Sequence, residues 1–290
     1  DVQQSYLMGR KKLFDYGGVA CHIYLQLNYD HIDAARAEEI WNKLIAHHEM
    51  LRAVIHEEGY QQIMEKAPHF TVMDLGDMSS EEVMKKMGHS CYQVGGWPYF
   101  SVAVTNYENS AVMHLSIEFI IADWTSIWLL LLQFEGMYFG RITELPGINA
   151  SFRDYVIAER ELKAGAAYEN DMKYWLEKLE DFPTCPHLDV KKYDPGETAA
   201  FERKFLQFTP EQWAAVKRCA VENSITPTAL VLMIYSAVLE RYSENKRFAI
   251  NLTVLGRQDC HRDIHKVVGD FTSLVLLDVD LENSSSFSEA

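Results

Sequence analysis

A β-rich run at residues 112–117 passes almost directly into a strongly apolar run of helix length at residues 124–138, and charge is concentrated at the junction. That junction reads Ile117-Glu118-Phe119-Ile120-Ile121-Ala122-Asp123-Trp124-Thr125-Ser126. Two carboxylates and a hydroxyl therefore stand at a strand-to-helix turn between apolar flanks, and a charge placed there needs a partner. The apolar run 124–138 reads as a buried helix. Two roles are open for the acidic pair at this point. Asp123 can cap the following helix while Glu118 faces solvent at the strand end, or the two carboxylates can belong to a site.

The rest of the chain supplies the layers. Asp33 is placed as N-cap of a helix whose apolar positions Ala37, Ile40, Trp41, Leu44 and Ile45 recur at three- and four-residue spacing. Residues 51–55 and 60–64 read as a hairpin about a Glu58-Gly59 turn, and residues 100–105 pair in the same way with 112–117 across Glu108-Asn109-Ser110. Residues 152–179 form a long amphipathic helical stretch interrupted near Gly165, and Pro183 and Pro186 mark a linker. Residues 201–208 read as a strand. Thr209-Pro210-Glu211-Gln212 then combines an N-cap, a proline at the first helical position and a capping-box Gln, and Thr226-Pro227 opens a second apolar helix to Tyr242. Strand-like runs follow at 248–255 and 274–281. This mixture predicts an α/β (α+β) fold with a boundary between Leu145 and Ala199.

Composition narrows the chemistry. Lys+Arg of 27 against Asp+Glu of 42 gives a net charge of -15, which repels nucleic acid. The apolar run 124–134 is too short to cross a bilayer. The five cysteines, Cys21, Cys91, Cys185, Cys219 and Cys260, are scattered and odd in number, which speaks against a disulfide framework and for a reducing, cytoplasmic compartment. No G-x-S-x-G elbow, G-x-G-x-x-G turn or P-loop occurs. His47 and His48 point to different helix faces, and His261 with His265 has no second ligand cluster, so no metal site is expected. The chain opens on patterned sequence without an initiator Met and ends in the Ser-rich residues 283–290, which reads as a fragment.

Several segments, in order, resemble the heterocyclization domains of nonribosomal peptide synthetases, a branch of the condensation-type domains. Gln3, Tyr6 and Gly9-Arg10 are similar to the first motif, and His48-Glu49-Met50-Leu51-Arg52-Ala53-Val54 with Gly59 and Gln61 to the second. Glu118 to Ser126 resembles the third, an acidic pair followed by Ser where ordinary condensation domains carry H-H-x-x-x-D-G. Phe182-Pro183-Thr184-Cys185-Pro186-His187-Leu188 is similar to a Pro-rich fourth motif, and Gly269-Asp270-Phe271-Thr272-Ser273-Leu274-Val275-Leu276-Leu277 to G-D-F-T-x-L-x-L-L. Glu118 departs from the family's usual Asp by one methylene. A P-V-V-F-T-S-like strand and a Q-T-P-Q-V-like segment, which carry the Thr and Asp assigned to cyclization and dehydration in the family, are expected after Leu277 and do not occur.

The resemblance implies chloramphenicol acetyltransferase-like lobes in a V-shaped pseudo-dimer, with residues 1–146 as the N-terminal lobe, 147–198 as helical connection and linker, and 199–290 as an incomplete C-terminal lobe. It implies a reaction between an upstream acyl or peptidyl thioester and a carrier-bound Cys, Ser or Thr, giving an amide and then a thiazoline or oxazoline. No cofactor is bound directly. The substrates ride on phosphopantetheine of upstream and downstream peptidyl carrier domains, with an adjacent adenylation domain as a further partner. The fragment by itself is expected to lack part of the active site. Phe119 takes the place of the second His of ordinary condensation domains, and Phe119, Asp270 and Thr272 are placed along the tunnel. Asp123 is expected to be structural, paired with Arg257 across the lobe interface, and Glu118 either supports the strand end, which we favour, or orients the acceptor amine. Ser126 matches the motif without an assigned role. The alternative is an ordinary or inactive condensation-like domain that serves as a carrier-binding or adenylation-docking platform.

Overall fold

The computed structural model describes residues 2–11, 17–190 and 204–281. Its elements are α1 (Val2–Gly9), β1 (His22–Tyr29), α2 (Ala34–His47), β2 (Ala53–Ile55), β3 (Gln61–Ile63), β4 (Met73–Asp74), α3 (Ser80–Met87), β5 (Phe100–Asn106), β6 (Ala111–Glu118), α4 (Trp124–Tyr138), α5 (Phe152–Leu162), α6 (Ala166–Leu179), α7 (Pro210–Glu222), α8 (Pro227–Tyr242), β7 (Arg247–Leu255) and β8 (Thr272–Asp280). The described residues divide into two compact units, one holding residues 2–165 and 255–273, the other 166–190, 204–254 and 274–281. The division is not linear along the chain. Residues 255–273 belong to the first unit although the second flanks them on both sides.

The first unit is built on a four-stranded sheet of order β1-β6-β5-β4, in which β6 runs antiparallel to both β1 and β5, and β4 is parallel to β5. Every residue of β6 is buried, because helices cover both faces of that inner strand. Alternation divides its side chains. Met113, Leu115 and Ile117 join Trp41 and Leu44 of α2 and Leu130 and Phe134 of α4 in the main core, while Ala103 of the neighbouring β5 packs with Val83 and Met87 of α3 in a second cluster. Each large apolar side chain taken fully from water contributes about 1.5–3 kcal/mol. The second face carries a polar insertion: His114 lies between the Tyr24 hydroxyl at 2.7 Å and the Thr105 hydroxyl at 3.0 Å. Burial pushes this imidazole down to about 4, so it stays neutral.

Local signals explain the helices. Asp33 caps α2 by accepting from Arg36 N, and α4 spans the whole apolar run with Asp123 as its cap. Thr209 and Gln212 form the reciprocal capping box of α7, and Thr226 caps α8. The helical stretch of residues 152–179 is broken into α5 and α6 around Gly165. Two expectations fail. Residues 49–52 form a 3-10 turn, so the first hairpin shortens to β2 and β3. Residues 204–208 are not a strand although their apolar pattern suggests one, since no strand among the described residues pairs with them; the remainder of that predicted strand lies outside the described residues. The second unit, described by itself, consists of α6, α7, α8 and the two-stranded sheet β7-β8. Arg247 ties it by bridging Asp181 and Asp278, each at 2.7 Å.

Candidate functional site

The strand-to-helix junction positions the site. β6 delivers Glu118 to the edge of the core, a turn closed by Ile121 N on Glu118 O at 3.3 Å follows, and Asp123 opens α4. Both carboxylates are almost fully buried, Glu118 at 1% and Asp123 at 0% exposure, so Glu118 does not face solvent. They share no partner. Glu118 forms an ion pair with Arg10, and its other oxygen accepts from Tyr92 N at 2.9 Å. Arg10 in turn donates to Tyr92 O at 2.6 Å and lies over the Tyr99 ring. Burial holds the Arg10 guanidinium below its ordinary value, and the ion pair supplies the charge that keeps it tolerable there. Both oxygens of Glu118 are therefore occupied.

Asp123 sits in a second node made by segments far apart in sequence. Its Oδ1 accepts from Ser126 N at 2.6 Å and from Arg257 Nη2 at 3.4 Å, and its Oδ2 accepts from Phe271 N at 3.3 Å. Its own N–H donates to Gly269 O at 2.9 Å. Asp123 thus both caps α4 and pairs with Arg257. The pair lies inside the first unit, since residues 255–273 belong to it.

Ser126 holds more of this node than its motif position suggests. Its Oγ donates to Gly269 O at 2.8 Å and accepts from Gly269 N at 3.0 Å and from Arg257 Nη2 at 2.8 Å. The hydroxyl's one donor and both acceptor positions are used. Arg257 also donates through Nη1 to Val267 O at 2.8 Å and Ile264 O at 3.2 Å, and its guanidinium lies 4.2 Å from the Phe271 ring centroid. Phe271 is wedged edge-on against Phe152 and Tyr155. Gly269 is required here by close approach, because a Cβ would collide with the Phe152 ring. Removing Arg257 would strand a buried Asp123 charge at a cost of about 3–5 kcal/mol.

The remaining predicted residues lie beside these nodes. Phe119 donates its N–H to Cys21 O at 3.0 Å and packs half-buried on the core. Thr272 donates its N–H to Asp270 Oδ1 at 3.2 Å, while Asp270 Oδ2 is buried without a hydrogen-bond partner. Burial pushes the Asp270 carboxyl up to about 6, with the Asp123 charge adding to the rise and the Thr272 hydrogen bonds opposing it. Sequence reasoning missed the roles of Arg10, Tyr92 and Gly269. The signal for Arg10 was available, since a buried carboxylate demands a cation and Gly9-Arg10 lies within a motif. Among the described residues no cluster of three or more His, Cys, Asp or Glu could hold a metal ion; His48, for one, is engaged with Gln133 at 2.7 Å.

Comparison with known proteins follows the same lines. The Condensation domain family matches residues 13–290. The chain is 34% identical over 299 residues to bacitracin synthase 1 of Bacillus licheniformis, covering 99% of this chain and 6% of that protein. It is 30% identical over 298 residues to pyochelin synthetase PchF of Pseudomonas aeruginosa, covering 99% of this chain and 16% of that protein. The chain thus spans less than a fifth of either curated relative. Among solved structures it is similar to the EpoB NRPS cyclization-docking bidomain from Sorangium cellulosum, with 29% identity and a TM-score of 0.87, over 99% of this chain and 60% of that one.

Proposed function

Because this chain belongs to the condensation domain family, we propose that it works as a heterocyclization domain of a nonribosomal peptide synthetase. The donor is an acyl or peptidyl thioester on an upstream carrier, and the acceptor is Cys, Ser or Thr on a downstream carrier, each held on phosphopantetheine. The acceptor amine attacks the thioester carbonyl and releases the donor carrier's thiol. The acceptor's own thiol or hydroxyl then adds to the new amide carbonyl, and loss of water leaves a thiazoline or oxazoline. An adenylation domain adjoins it and the setting is cytoplasmic. By chain order we assign the lobes to 1–146 and 199–290, joined by 147–198, although residues 255–273 pack within the first compact unit.

The observation that carries this reading is the make-up of the junction: Phe119 follows Glu118, no histidine stands between residues 117 and 126, and both carboxylates are engaged in pairs. A site so arranged has no imidazole to act as base for simple condensation, and its acidic residues hold shape rather than move protons. Glu118, Asp123, Ser126 and Arg257 are accordingly the frame, while Phe119, Asp270 and Thr272 line the reaction space. The likeness to a cyclization bidomain over nearly the whole chain supports the same reading.

The test is a product mass. Incubation of the full-length protein with both loaded carriers should yield the amide less one water. Amide alone would make it an ordinary condensation domain, and absence of either product would make it a platform.

A further inference from the structure

Two sets of anchors fasten α1 across the strand-to-helix turn. At one end Gln3 Nε2 donates to Ile120 O at 2.9 Å, and Gln3 Oε1 accepts from Gln61 Nε2 at 2.8 Å. At the other end Arg10 forms its ion pair with Glu118 and donates to Tyr92 O at 2.6 Å, while Gly9 O accepts from Gly18 N at 3.0 Å. The segment thus bears on Glu118 and Ile120, the residues on either side of Phe119. Gln3 and Gln61, which stand in the first and second motifs, find a shared task here.

α1 is held differently from the other short helix of this unit. α3, also of eight residues, sinks Val83 and Met87 into a core cluster and carries a capping box, whereas α1 buries no residue. Only Tyr6 and Leu7 rest, half-buried, on the core. A helix of this length does not persist in water by itself, so α1 is helical only while its anchors hold. One anchor is unlike the rest. The Arg10 and Glu118 side chains are 8% and 1% exposed, and each charge is tolerated there only because the other is present. Lifting the segment returns both to water, which gives the attachment two states: docked and helical, or released and hydrated.

We propose that α1 and Arg10 form a strap that opens as one unit while the sheet beneath it stays folded, and that the Arg10–Glu118 pair is its latch. Closed, the strap shields the Glu118 carboxylate and holds Glu118 and Ile120 on either side of Phe119. Open, it bares that carboxylate and the Ile120 carbonyl. The reading above puts Phe119 on the reaction space, so the closed strap completes that wall, and a substrate that needs the wall binds the closed form and holds it shut. This consequence rests on the heterocyclization reading, whereas the opening and its latch do not.

The experiment is amide hydrogen exchange on the full-length protein, read by mass. In the wild type the amides of Tyr6 to Gly9 should be protected about 100-fold less than those of β6. Glu118→Gln keeps an acceptor for Tyr92 N but removes the charge opposite Arg10, and should speed α1 exchange about 100-fold with β6 unchanged. Adding Arg10→Met to it should bring the rate back toward wild type, because no charge is then stranded. Gln3→Ala, which loses an uncharged anchor, should speed α1 exchange about tenfold. If α1 and β6 exchange at one rate in the wild type, or if the variants speed both alike, α1 opens only with the whole unit and the strap is overturned. Should Glu118→Gln fail to fold, Gln3→Ala, at a half-exposed position, carries the test. Both carriers, loaded through non-hydrolysable amides, should slow α1 exchange about tenfold, and carriers that leave it unchanged overturn the link to Phe119. Product mass in a parallel reaction with reactive carriers judges the other reading: a protein that makes amide alone loses heterocyclization, while the strap stands or falls by exchange.

Discussion

The two compact units spend their apolar residues differently. In the first, α4 turns Ile127, Leu130, Leu131 and Phe134 into the core, and the inner strand β6 has no exposed residue. In the second, the equally apolar α8 buries only Leu230 and Ser236, and leaves Val231, Ile234, Tyr235, Val238 and Tyr242 on the surface. The sheets differ in the same sense, since the two inner strands β5 and β6 are almost wholly covered in the first unit, whereas β8 exposes Leu274, Val275 and Leu276 in the second. An apolar helix is thus no guide to burial by itself. What decides it is how many layers surround the helix, and the buried polar nodes that need rigid surroundings are found in the well-layered unit.

That contrast can be broken by mutation, and the largest effect should come from the buried node. Arg257→Ala leaves Asp123 charged and without its cation, and chemical denaturation of the first unit should show a loss of about 3–5 kcal/mol. A loss as small as that of a surface pair would mean that the node is not a stabilising lock.

Next in size is the pH response of Asp270. Its folded-state carboxyl lies at about 6 against an ordinary 3.8, so the folded state binds the proton more tightly than the unfolded chain. Stability from this group is full below about pH 4 and is lost as pH rises through about 6, by about 3 kcal/mol in total. Asp270→Asn should flatten that slope in melting curves and be the more stable protein at pH 8. Gly269→Ala should cost about 1–3 kcal/mol, because the added methyl meets the Phe152 ring. The smallest change is expected in the second unit. Arg247→Ala removes a partly solvated clasp on Asp181 and Asp278, and its unfolding curve should overlay the wild type. If Arg247→Ala proved as damaging as Arg257→Ala, the distinction between the units would fall.

How much of this was legible depends on how local the cause was. The ends of α4, the caps Asp33, Thr209 and Thr226 and the pairing of β5 with β6 follow from side chains within a few residues, and they stand where the residues place them. Two local signals went unused. The alternation of His22–Tyr29 and the Ser79 and Glu82 capping box both announce elements, β1 and α3. The strand expected at 201–208 fails over residues 204–208 because β-propensity says nothing about whether a partner strand is at hand. The Asp123–Arg257 pair was reachable only through family resemblance, since its halves are 134 residues apart. The three hydrogen bonds of Ser126 were not reachable at all, because tertiary packing alone brings those atoms together, whereas the Arg10–Glu118 pair was signalled only by the need of a buried carboxylate for a cation.

The Ser126 hydroxyl has a consequence for how this protein should be probed. Its proton is committed to Gly269 O, its lone pairs to Gly269 N and Arg257, and the side chain is sealed from solvent. An oxygen with neither an open lone pair nor a mobile proton is no nucleophile. A serine-directed electrophile such as a fluorophosphonate should therefore pass over this residue, although it stands two positions from exposed Trp124 in the motif that marks the family. Silence toward such a reagent would report an intact frame, and labelling would report that the frame had opened.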